Sequence, residues 1–138
     1  MEDTLRLLLI AAAIGQLLIA GLNLNLVRLL AWDSDLERMP LLLREVFHVH
    51  KWFVSVTLLL FAVLTLRFSA EMAAAASPLS AWLAAGIAGF WAFRTVLQVT
   101  YYSGSHWHGK PGRTAIHCIL LLSYGGCSLV YALAALRG

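Results

Sequence analysis

Five histidines, His48, His50, His106, His108 and His117, are the side chains of this sequence best equipped for chemistry. Imidazole ligates zinc, copper and iron, and it takes up and gives back protons near neutral pH. Four of the five stand as His-x-His pairs, one in an apolar stretch and one in the glycine-containing segment 103–112. On a helix, residues two apart point about 200° away from each other, so His48 and His50 cannot chelate one ion there. His106 and His108 lie in a segment that carries no helical phase, and both rings can reach one ion. Glu45 stands three residues before His48, the spacing that puts a carboxylate and an imidazole on one side of a helix in four-helix di-iron proteins. That pattern occurs once here, without the further glutamates a di-iron site needs. Glu45, His48, His50, His106, His108 and His117 are therefore the expected metal-ligand set. Each histidine also has a plainer role open to it: His106 and His108 flank Trp107 as an interfacial loop, His48 reaches water beside Arg44 and Lys51, and His50 and His117 are each explained alone as a buried, hydrogen-bonded structural histidine.

A second group stands on the third and fourth apolar stretches. Arg94 and Gln98 share a helical face, and His117, Leu121, Tyr124, Ser128 and Tyr131 share another. An arginine within a membrane span costs roughly 2.5–3.5 kcal/mol even on the lenient insertion scale, so it is expected to face a partner inside the protein. Glu45, a bound anion, a haem propionate and a substrate carboxylate are the partners that fit. Arg94, Gln98 and Tyr124 are accordingly the expected cofactor-binding residues. The stripe Arg94, Gln98 and Tyr101 assumes that the third helix runs on through Tyr101. Gln16 and Asn23 make a comparable stripe on the first.

The elements that position these groups follow from composition. Of the 138 residues, 61% are hydrophobic and 12% are charged, and the mean hydropathy is +0.80. Soluble domains are roughly 45–50% apolar and about 25% charged, and a small globule exposes too much surface for so few charges to cover. Disorder needs the opposite composition. Apolar stretches at 5–30, 41–66, 79–102 and 114–136 each exceed the ~20 residues an α-helix needs to cross a bilayer. None alternates with period two, which excludes barrel strands. The fold class expected is all-α: one integral membrane domain, a four-helix transmembrane bundle of up-down topology with short loops. Pro40 and Ser77-Pro78 suit helix starts. The leader Met1-Glu2-Asp3 is acidic and the run after it is too long for a cleaved signal, so the first stretch reads as a span.

Four spans bring all five histidines to one face of the membrane. That face also owns Arg28, Arg38, Arg44, Lys51, Arg94, Lys110 and Arg113, against Arg6, Arg67 and Arg137 on the other. The positive-inside rule makes it the cytoplasmic face, with both termini on the non-cytoplasmic side, and a bacterial inner membrane is the expected location. Cys118 and Cys127 lie nine residues apart on one helix, ~13.5 Å along its axis, too far for a disulfide. No basic run points to nucleic acid, and no Ser-His-Asp order, phosphate loop or nucleotide fold is present.

These residues support three expectations. The first is a redox metalloprotein in which His50 and His117 bind a transition metal (iron, copper or zinc) at the cytoplasmic side. The second is a bis-histidine haem b electron-transfer protein, with Arg94 or Arg113 on the propionates and Phe47 and Tyr124 beside the ring. The third is a non-enzymatic subunit, assembly factor or oligomeric channel or transporter. The expected partners are the lipid bilayer, an apolar substrate or quinone, and further protein chains, either copies of this one or a membrane complex.

Overall fold

The computed structural model describes residues 1–102, 104 and 109–137. It is all-α, as composition predicts: α1 spans Glu2–Leu29, α2 Asp33–Glu37, α3 Leu41–Ala73, α4 Pro78–Thr100 and α5 Pro111–Leu136, and no strand occurs among the described residues. Four of these helices are long and apolar enough to cross a membrane; the most apolar window of each has a mean hydropathy of 2.2, 2.0, 1.2 and 1.9 in chain order. Leu18, Leu22, Phe53, Leu60, Phe93 and Leu122 are exposed along them, the surface a helix shows when its solvent is lipid.

Local sequence explains where the helices begin and end. In α1, Glu2 and Asp3 occupy the first turn and Arg28 the last, each opposing the helix dipole. A capping box starts α4: the Ser77 hydroxyl accepts from the Ser80 amide at 3.2 Å, the Ser80 hydroxyl accepts from the Ser77 amide at 3.2 Å, and Pro78 needs no amide partner. Two helices end on an alanine in the left-handed region where glycine is usual. Ala31 has φ 52° and Ala75 has φ 49°. At each, the next amide reaches back five residues, Trp32 N to Val27 O at 2.9 Å and Ala76 N to Glu71 O at 3.0 Å. Both are Schellman caps.

Two departures from the sequence reading have clear causes. The second span was expected to end at Leu66, where polar residues begin, yet α3 runs to Ala73 with a non-helical residue, Phe68 (φ −114°, ψ 20°), inside it. Ser69, Met72 and Ala73 are all buried, so packing carries the helix past the end of its apolar run. The expected 67–78 loop shrinks to Ala74–Ser77. The 31–40 connection also holds a one-turn helix, α2, with Asp33 and Asp35 in its first turn and Leu36 buried.

The chain packs as two compact units. The first comprises Met1–Ala12 and Phe68–Gly138. Its core holds Leu9, Met72, Ile87, Trp91 and Tyr131, and α4 and α5 pack along each other within it. Arg137 donates to the Ala73 carbonyl at 3.1 Å, tying the end of α5 to the end of α3. The second unit, Ala13–Arg67, holds the rest of α1, α2 and most of α3. Its buried residues include Gln16, Ala20, Val27, Leu58, Ala62 and Thr65.

Candidate functional site

In the second unit, polar side chains on α1 and α3 close on each other. The Asn23 amide donates to the Lys51 carbonyl and to the Ser55 hydroxyl, both at 2.9 Å, and Ser55 donates to the Ala20 carbonyl at 3.2 Å. Asn23 was legible from its stripe on the first helix; its partner Ser55 was not, because a serine inside an apolar run carries no positional signal. The expected ligands nearby do not gather. Glu45, His48 and His50 are all exposed on α3, and the His48 ring meets the Phe47 ring edge-on with centroids 5.8 Å apart. Among the described residues, no three of His, Cys, Asp and Glu come together as a metal-binding group. His106 and His108 lie outside the described residues.

The first unit holds a different seam. Arg94 and Gln98 lie four residues apart on α4, and His117 and Tyr124 lie seven apart on α5, so each pair shares one helical face. Gln98 Nε2 lies 2.8 Å from His117 Nδ1. With the amide in this orientation Gln98 is the donor and Nδ1 the acceptor. Gln98 itself is only 2% exposed, and its Oε1 is buried without a hydrogen-bond partner. The Arg94 guanidinium sits over the Tyr124 ring at 4.7 Å and near the Tyr102 ring at 5.9 Å. Tyr124 in turn stacks on Trp91, with centroids 5.2 Å apart and planes 23° from parallel. Arg94, Tyr124 and Trp91 thus form a cation–π–π column, and Trp91 is fully buried. Ser128 donates to the Ala88 carbonyl at 3.1 Å and adds a second polar tie between the helices.

Arg94, Gln98, Tyr124 and His117 are therefore brought together as their spacing suggested. Among the described residues of its own unit, Arg94 meets aromatic rings and no carboxylate. Tyr101 keeps the helical phase as the C-cap of α4, its amide donating to the Leu97 carbonyl at 3.0 Å, but its side chain is 80% exposed at the end of the seam, and Tyr102 is the tyrosine near Arg94. Cys118 and Cys127 are both free thiols, as their separation on α5 requires. No known protein family, curated protein or solved structure matches this chain.

Proposed function

We propose that this chain is an integral membrane protein that holds an amphipathic small molecule by its polar head at the α4–α5 seam, through Arg94, Gln98, His117 and Tyr124. One observation carries this reading: a fully buried Gln98 oxygen without a hydrogen-bond partner lies one helical turn from an intramembrane arginine that meets no carboxylate among the described residues of its unit. Leaving a buried acceptor unpaired costs about 1–3 kcal/mol, and the arginine adds its own insertion cost. Proteins tolerate such groups where a ligand satisfies them. The cation–π–π column holds the guanidinium in place before the ligand arrives, so little ordering is left for binding to impose.

A prosthetic group is the second reading, and the Gln98–His117 contact favours it. An imidazole that ligates iron through Nε2 has its Nδ1–H anchored on an acceptor. Rotating the Gln98 amide by 180° presents Oε1 to Nδ1–H and frees the Nε2 lone pair. A haem or non-haem metal would then draw on His117, with Arg94 beside an acidic group.

The test is purification of the whole chain in mild detergent, followed by organic extraction with mass spectrometry, a visible spectrum and elemental analysis. The expected result is one amphipathic species approaching one per chain, lost in Arg94→Gln. A Soret band that shifts on reduction would make it haem, and stoichiometric metal without that band would make it a non-haem centre. An unaltered chain carrying nothing above the level of Arg94→Gln would overturn the reading.

A further inference from the structure

We infer that the head group received at the α4–α5 seam is a neutral hydroxyl, the function a quinol carries. This inference rests on the reading of the seam as a ligand site and narrows what that site takes. The two open ends of the seam ask for opposite things. Arg94 still has N–H groups to donate: of its five, the Tyr124 hydroxyl takes one, and it otherwise meets the faces of the Tyr102 and Tyr124 rings. Gln98 Oε1 accepts and has no donor. The two residues lie four apart on the same face of α4. A group that completes both must accept and donate within a few ångströms, and must do so inside a membrane span.

Head-group chemistry then divides cleanly. A carboxylate accepts from Arg94 but has no proton for Gln98 Oε1, and it sets negative charge against that oxygen. An ammonium donates to Gln98 Oε1 but is repelled by Arg94. A phosphate ester supplies both functions only in its protonated form, and its hydration holds it at the interface. Arg94 stands six residues before the end of α4, ~9 Å along the axis. A neutral hydroxyl meets both demands at that depth: its oxygen accepts from the guanidinium, its proton goes to Gln98 Oε1, and no net charge leaves water. The rest of such a molecule is apolar and arrives through lipid. The inference concerns binding and positioning; no electron transfer follows from it.

The experiment is isothermal titration of the whole chain in mild detergent, under argon, with three probes: a decyl-substituted benzoquinol, its dimethyl ether, and decanoate. The ether keeps the ring and the oxygens but has no proton to donate. The expected result is that the quinol binds about ten-fold more tightly than its ether and than decanoate. Gln98→Leu should erase the difference between quinol and ether. Equal binding of quinol and ether by the unaltered chain overturns the inference, and that comparison holds even if Gln98→Leu fails to fold. Tighter binding of decanoate overturns it too, yet leaves the seam a ligand site. If none of the probes binds and nothing co-extracts with the chain, both the inference and the reading beneath it fall.

Discussion

Two polar seams join apolar helices in this molecule, and they end differently. Between α1 and α3, Asn23 and Ser55 take up each other and the carbonyls of Lys51 and Ala20. Between α4 and α5, Gln98 takes up His117 but leaves a buried oxygen unpaired, and Arg94 rests on aromatic rings. The first seam is complete as an adhesive between helices, the use membrane proteins make of most interhelical hydrogen bonds. The second contains more chemistry than adhesion requires. Polar residues within spans are therefore not equivalent evidence of function, and whether their bonds close within the protein separates the two kinds.

Substitutions can break or sharpen that contrast. The largest expected effect is Arg94→Ala, which should weaken retention of the bound species by roughly ten- to hundred-fold, the worth of a charge-assisted hydrogen bond. Mass spectrometry of the extracted chain reads it. Asn23→Ala should leave retention unchanged and cost the second unit about 1–2 kcal/mol in stability, because it opens both of that residue's bonds. Denaturant titration followed by circular dichroism measures the loss. Gln98→Met separates the seams more finely. If the α4–α5 seam were adhesive, this change would cost as much as Asn23→Ala; with the unpaired oxygen gone, ligand-free stability should instead stay within about 1 kcal/mol of the unaltered chain.

The smallest effects lie at the helix ends. Ala31→Gly and Ala75→Gly should each raise stability by about 1 kcal/mol, since both positions hold φ near +50° and glycine adopts it without the side-chain clash. One lies in each unit, so the two gains should add. Thermal unfolding of the single and double variants checks this. A loss at either site would mean that the alanine methyl does more there than strain the cap.

What was legible in the sequence follows the same division. The four long helices could be read because membrane spans are announced by length and apolarity, and neither depends on the partner helix. Arg94, Gln98 and Tyr124 were found because a polar residue in an apolar run is conspicuous and its helical phase tells which residues share its face. Ser55 was missed because serine is common in spans, and only the position of Asn23 on another helix gives it a role. The continuation of α3 through Ser69 and Met72 was hidden because burial against neighbouring helices, not local apolarity, extends it. Tyr102 was missed for a third reason: the direction of a residue just past a helix end is set by the turn, which periodicity does not describe.

The central claim is that one seam is closed by the protein and the other by a ligand. The most direct measurement compares, by quantitative mass spectrometry, the organic extracts of the unaltered chain, Arg94→Gln and Asn23→Ala, all purified in the same detergent. The account predicts one species near stoichiometric in the first and third preparations and depleted in the second. Equal amounts in all three, or a species lost with Asn23 and kept without Arg94, would contradict it.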